Sequence, residues 1–234
     1  MSGSAISAGS TALFEEAARV APDEAEARAA LVLTLRGRGI GDRAVLSAIE
    51  RVPRRLFLAA RYHRLAYDDA QLPIECGQVV SAPSRVALIA QALQIKPDHA
   101  VLEIGTGSGY QAAVLGHLAG RVETIDRYRS LSALAAQRLA ALKLNTVTVH
   151  HADGLAGLKS RAPFDRIILT GSVTEIPEVL YTQLAPAGMI IAPVGPPGSP
   201  QVLTRIRRTE TADVADPLGQ VRSVGLTRGV AEIL

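Results

Sequence analysis

The chain has 234 residues, 48% hydrophobic and 20% charged, enough to build a full core and to exclude a disordered or disulfide-stapled class. Its single cysteine, Cys76, excludes an intrachain disulfide framework and a Cys-cluster metal site. The net charge of +3 comes from arginines interleaved with acids, and aromatics are 3% with no tryptophan, so nucleic acid is not an expected partner.

Met1–Ser10 is small and polar, without the basic start and apolar run of a signal peptide, and residues 1–12 read as a frayed tail. No stretch approaches 18 consecutive apolar residues, so no membrane contact is expected. The lone cysteine adds the expectation of a reducing, cytoplasmic location. From Leu13 to about Leu65 the pattern is helical, with breaks at Pro22 and across Gly37–Gly41. Asp42 is the N-cap expected for a helix carrying Val45, Leu46 and Ile49 on one face. Pro53 interrupts that helix, and Arg54–Tyr62 predicts a short further turn. Asp68–Pro83, with Pro73, Gly77 and Pro83, reads as a long loop with brief extended pieces.

Beyond the loop, helices and strands alternate. The pattern predicts a helix over Ser84–Leu93, a strand over Ala100–Ile104 and a helix through Ala119. Strand Arg121–Ile125, helix Ser130–Leu142, strand Val147–His150 and strand Asp165–Thr170 follow. A helix over Glu178–Leu184 precedes strand Met189–Pro193, and extended runs at Gln201–Arg207 and Gln220–Leu226 close the chain. Such alternation predicts an α/β, Rossmann-like, doubly wound and mostly parallel sheet, with an N-terminal helical region and a C-terminal antiparallel edge. The division expected is 1–12 (tail), 13–83 (helices and loop) and 84–234 (sheet domain), the last two forming one compact unit.

The sharpest local signal is VLEIGTGSGYQAAVLG, residues 101–116, where a buried strand meets Gly105, Gly107 and Gly109 before a helix. Glycines suit a tight turn that a ligand must approach closely. The dinucleotide fingerprint needs a glycine where Tyr110 stands, and so fails. G-x-G-x-G preceded by an acid, Glu103, is instead the form used for S-adenosylmethionine, which carries no phosphate. Asp126 ends the next strand, where an acid can accept ribose hydroxyls, and Asp153 follows the third strand, where an acid suits the adenine amino group.

Four segments, LPIECGQVVSAP, VLEIGTGSGYQAAVL, FDRIILTGSVTEIP and LAPAGMIIAPVG, in that order, resemble the protein-L-isoaspartate O-methyltransferases. RGRGIGDRAVLSAIERVPRRLF resembles that family's N-terminal helical region, so the likeness covers roughly Leu35 to Gly195. The resemblance implies a class I methyltransferase fold and methylation of the free α-carboxylate of isoaspartyl residues in damaged proteins and peptides. The ester recloses to a succinimide, which begins repair. It further implies that Ser81 is catalytic and that Gln78, Val79, Val80 and Ser81 form a substrate loop. Cofactor contacts are implied for Glu103, Gly105, Thr106, Gly107, Gly109, Asp126, Asp153 and Gly154.

The chain departs from the family pattern at several places. Val79 stands where threonine is common, Gly171 and Ser172 where alanines are frequent, and Ser223 and Gly225 where an aromatic and a proline are usual. These positions leave open a same-fold methyltransferase with another substrate, or a cofactor-binding relative with reduced or lost repair activity. A base-amino methyltransferase would carry an Asn/Asp-Pro-Pro-aromatic stretch after the fourth strand, where this chain has Thr170-Gly171-Ser172-Val173. The five histidines lack ligand spacing, so no metal is expected. Cys76 reads as a bystander thiol, the Arg51–Arg64 arginines as a solvated helical face, and Ser81 also as a cap for the helix starting near Pro83.

Overall fold

A computed structural model describes residues 22–231. The expected tail 1–12 and the helical stretch 13–21 lie outside the described residues. Helix α1 (Pro22–Gly37) packs Leu31 and Leu35 inward and ends at the expected glycine cluster. Asp42 caps α2 (Arg43–Arg51): its Oδ1 accepts from the amides of Ala44 at 2.8 Å and Val45 at 3.1 Å. Val45, Leu46 and Ile49 are buried on one face. Past Pro53 the chain makes two tight 3₁₀ turns, Arg54–Phe57 and Ala60–Leu65. The long loop then folds into a small antiparallel pair, β1 (Leu72–Pro73) and β2 (Val79–Val80), and leads into α3 (Pro83–Ala92).

The sheet comprises β3 (Ala100–Ile104), β4 (Arg121–Asp126), β5 (Val147–His151), β6 (Phe164–Leu169), β7 (Leu184–Val194), β8 (Gln201–Arg207) and β9 (Val214–Val221). Their spatial order is β5-β4-β3-β6-β7-β8-β9, parallel through β7 and antiparallel at the β8–β9 edge. Helices α4 (Tyr110–Gly116), α5 (Arg129–Ala141) and α6 (Glu178–Tyr181) connect the strands. Successive crossovers leave β3 toward β4 and leave β6 toward β7. The order therefore reverses between β3 and β6, and a crevice opens at their C-terminal ends. One core joins α1–α3 to α4 through Leu35, Ile49, Phe57 and Val86 against Tyr110, Ala113 and Val114, so the helical region shares packing with the sheet domain.

Four predicted boundaries are corrected. Helix α4 stops at Gly116 instead of Ala119, because His117 and Leu118 tighten to i→i−3 hydrogen bonds on Val114 and Leu115. Helix α6 stops at Tyr181 instead of Leu184. Gln183 is buried there and its side chain bonds Leu158 N and Ala156 O in the loop after β5. Strand β7 is longer than Met189–Pro193, since Leu184 already pairs with Phe164. The last strand is Val214–Val221, not Gln220–Leu226: Pro217 and the acids around it read as loop, but an edge strand tolerates proline. Asp216 is held there by Arg205 and Arg207. Among the described residues, no helix is long and apolar enough to cross a membrane.

Candidate active site

At the crevice lies a cleft of about 250 Å³, lined from the C-terminal ends of β3, β4 and β6, from the β2 loop and from the segment after β9. The glycine turn is its floor. Gly105, Gly107 and Gly109 all have positive φ, at 95°, 53° and 89°, which side chains rarely tolerate. The amides at 105, 106 and 107 are consumed internally. Gly105 N and Thr106 N donate to Ile125 O, and Gly107 N donates to Asp126 Oδ2 at 2.8 Å. No nest of free amides is left at these three positions, so the turn is not built to cradle a pyrophosphate.

Glu103, beside Thr124 in the β3–β4 register, has no exposed surface. Thr124 donates its hydroxyl hydrogen to Glu103 Oε2 at 2.6 Å. Because Thr124 has a single hydroxyl hydrogen, Thr106 Oγ1, 2.7 Å away, must donate to Thr124 in turn. This chain ties the turn to the acid. Glu103 Oε1 and Gln111 Nε2 have no hydrogen-bond partner among the described residues, although both side chains line the cleft. Burial pushes the Glu103 carboxyl up to about 8, with Thr124 and the nearby Gln111 opposing it only in part. Asp126 is also raised by burial, against the amides of Tyr128 and Gly107 that favour its charged form. A cationic, hydrogen-bonding ligand would favour the charged form of Glu103.

The Gln78–Ser81 loop forms the opposite wall, with all four residues facing the cleft and Val79 39% exposed. Its anchor is Arg54, one of the arginines expected on a solvated helical face, which the fold instead buries completely. Arg54 Nη1 donates to the carbonyls of Ala66 (2.8 Å) and Asp68 (3.3 Å), and Nη2 to those of Ala70 (2.9 Å) and Ser81 (3.1 Å). One guanidinium therefore fixes the loop's path from residue 66 to residue 81. No sequence spacing announces this, because the acceptors are backbone carbonyls. The capping reading of Ser81 is corrected: Ala82 occupies the N-cap position of α3 without a side-chain bond, and Asp69 Oδ1 accepts from Ser84 N at 2.8 Å instead. The Ser81 hydroxyl makes no hydrogen bond among the described residues and lines the cleft.

The roof is the segment after β9. Leu226 N donates to Ser172 O and Ser172 N to Val224 O, both at 2.8 Å. A Cβ on Gly171 would lie 2.7 Å from Val224 O and 2.8 Å from Leu226 Cγ, so the glycine lets this strap close down. Ser223, Val224, Gly225 and Leu226 consequently line the cleft beside Arg85 of α3, a second residue that no local sequence pattern marks.

Not every expected residue reaches the cleft. Gly109 is set back, where a Cβ would lie 3.1 Å from Ala135 Cβ, so it permits close packing of α5. Gly154 and Leu155 line the cleft, whereas Asp153 is not among the lining residues and its Oδ1 caps the turn through Leu155 N at 2.9 Å. Cys76 Sγ sits 3.2 Å from Ser130 Oγ, outside the lining. Among the described residues no cluster of three or more His, Cys, Asp or Glu is placed to hold a metal.

The model of the Protein-L-isoaspartate(D-aspartate) O-methyltransferase family matches residues 26–231. The chain belongs to this family. A protein-L-isoaspartate O-methyltransferase of Azorhizobium caulinodans is 51% identical over 88% of this chain and 95% of its own, and one of Xanthobacter autotrophicus is 49% identical over 88% and 94%. A solved protein-L-isoaspartate O-methyltransferase matches with a TM-score of 0.77 and 26% identity, over 85% of this chain and 65% of that longer one. A Plasmodium falciparum member of the family, solved in complex with S-adenosyl-L-homocysteine, matches with a TM-score of 0.74 and 25% identity over 85% and 97%. The class I methyltransferase fold is thereby established for this family member, with its helical region and antiparallel edge. Of the expected cofactor residues, Glu103, Gly105, Thr106, Gly107, Asp126 and Gly154 share the cleft with the loop Gln78–Ser81.

Proposed function

We propose that this family member transfers a methyl group from S-adenosylmethionine to the free α-carboxylate of isoaspartyl residues in damaged proteins and peptides. The observation that carries this reading is that the Gln78–Ser81 loop and the Glu103–Gly107 turn line one cleft, which lets two reactants meet. The cofactor suits the residues present: it lacks a phosphate, and the amides of Gly105, Thr106 and Gly107 are already bonded within the protein, while its positive charge complements a buried acid with one oxygen unpartnered among the described residues. Glu103, Gly105, Gly107, Asp126 and Gly154 would hold it. When bound, it supplies a methyl group activated by a sulfonium.

The chain's own task is alignment. A carboxylate acceptor with a pKa near 4 is already ionised at neutral pH, so no general base is required. Ser81 offers a hydroxyl that donates to the acceptor carboxylate and fixes its approach, and Arg54 keeps the backbone of Ser81 in place. Val79, Val80 and Val86 give the cleft an apolar wall that limits water near the reacting carboxylate. The ester formed recloses to succinimide without further help, and hydrolysis returns part of it to normal aspartyl linkage. A cytoplasmic location is part of the same proposal.

The second reading, a cofactor-binding relative without transfer, draws on Val79, which withholds a hydroxyl from the loop. Incubation with methyl-labelled cofactor and an isoaspartyl peptide, beside its aspartyl twin, separates the two. Base-labile label in the isoaspartyl peptide alone is the expected result, and cofactor binding without transfer favours the second reading. Ser81→Ala should lower kcat by at least about tenfold while the cofactor Kd stays within about twofold. An equal loss in both would remove Ser81 from its role.

A further inference from the structure

Two arginines line the cleft: Arg127, whose Nε donates to Gly229 O at 3.1 Å, and Arg85, which follows the Gln78–Ser81 loop. Arg85 lies in the first turn of α3, four residues beyond Ser81, half-buried and lining the same space. Its Nη1 donates to Arg222 O and to Ser223 Oγ, both at 3.2 Å, which draws the side chain under the strap. Nε and Nη2 have no protein acceptor, and no carboxylate lies within ion-pairing distance, among the described residues. Neither atom is sealed from solvent, so the Nε–H and the two Nη2–H bonds are open. Burial weakens the protonated form with no acid to offset it, yet a guanidinium stays charged. Buried arginines outside the cleft point their guanidinium groups at protein acceptors: Arg54 at four carbonyls, Arg166 at Leu93 O and Asp165 O, and Arg138 at Ser108 O and the Glu75 carboxylate. Arg85 instead keeps its free donors in the cleft. The sequence departure at Ser223 fits this, because a small hydroxyl there accepts from Arg85 where an aromatic ring would take up the space.

We propose that Arg85 binds the α-carboxylate of the isoaspartyl acceptor, placing it beside Ser81, so that this cleft selects its substrate through charge as well as backbone shape. The inference rests on the function proposed above and adds a specificity-determining residue to it. A partly desolvated guanidinium with its Nε–Nη2 edge open suits a carboxylate, which accepts two parallel hydrogen bonds. The same chemistry could be met by the carboxylate of the cofactor's amino-acid portion, and the test below separates the two sources.

The experiment measures equilibrium binding, not turnover. The full chain saturated with S-adenosylhomocysteine is titrated with a fluorescent isoaspartyl peptide and with the same peptide carrying an α-carboxamide. The wild-type protein should prefer the acid by about 10- to 100-fold, the range expected for hydrogen bonds to charged groups. Arg85→Met should abolish that preference, Arg85→Gln should do the same, and Arg85→Lys should retain part of it. S-adenosylhomocysteine affinity should stay within about twofold in all three variants, each checked for an unchanged thermal midpoint. An acid preference that survives in Arg85→Met overturns the proposal. So does a loss of S-adenosylhomocysteine affinity matching the loss for the peptide, which would assign Arg85 to the cofactor's carboxylate. Methyl transfer by the wild-type protein is scored separately: an intact acid preference without transfer would count against the proposed activity and leave Arg85 in place.

Discussion

Glu103→Gln tests the electrostatics of the cofactor wall. Glu103 has no solvent contact, one oxygen held by Thr124 and the other without a partner among the described residues. Its carboxyl is pushed up from 4.5 to about 8 chiefly by burial. In the unfolded chain the proton leaves near pH 4.5, whereas the folded, cofactor-free protein keeps it until about pH 8. The folded state therefore binds more protons across this window. The stability conferred is fully present below pH 4.5 and is lost as pH rises to about 8. The slope is about 1.4 kcal/mol per pH unit, and the full window amounts to about 5 kcal/mol as an upper bound. Glutamine keeps an acceptor for Thr124 and cannot ionise, so the variant lacks this slope. Urea unfolding of both proteins without cofactor, from pH 5 to 8.5, should give a stability difference that moves steadily in favour of the variant. Groups common to both proteins cancel in the subtraction. Two stability curves that run parallel across the whole range would refute the assignment of a neutral, buried Glu103.

Two further substitutions probe how the cleft is held. Arg54→Met removes four hydrogen bonds from a buried guanidinium and orphans the carbonyls that define the loop up to Ser81; a loss of about 3 kcal/mol is expected in urea unfolding. In protein that remains folded, the KM for the isoaspartyl peptide should rise more than the KM for the cofactor, and the reverse ordering would contradict the anchor role. Gly105→Ala forces a side chain onto a φ of 95° and drives its Cβ into the Thr170 hydroxyl, whose single hydrogen is shared between the carbonyls of Ile104 and Gly105. A cost of about 1–3 kcal/mol and at least a tenfold loss of S-adenosylhomocysteine affinity are expected by calorimetry. Gly37→Ala, where a Cβ meets nothing within 4 Å, is the control that should leave affinity unchanged.

Local patterns proved sufficient wherever the chemistry was local. Asp42 announced its own cap, since a short acid reaches amides two and three residues ahead. Strand β3, the glycine turn and α4 were legible because a buried apolar run, a tight turn and a helix each leave a signature in adjacent residues. Asp126 was legible by position: a strand end facing a glycine turn puts its carboxylate within reach of Gly107 N. Element ends were less legible. Gln183 ends α6 by bonding a loop 25 residues earlier, and Pro217 sits in a strand only because that strand lies at the sheet edge.

Composition, alternation and the ordered motifs determined the doubly wound sheet, the glycine turn and the family resemblance, because each is written in residues close together along the chain. The modest charge and the lone cysteine excluded classes without pointing to a site. Tertiary structure alone decided which arginines matter: Arg54 and Arg85 look alike in sequence, yet one is enclosed by backbone carbonyls and the other keeps open donors beside Ser81. It also brought the strap of residues 222–226 over the cleft, where Gly171 makes room for it. The physical reason is that burial and unmet hydrogen bonds are properties of what surrounds a side chain, and those surroundings come from segments up to 138 residues away.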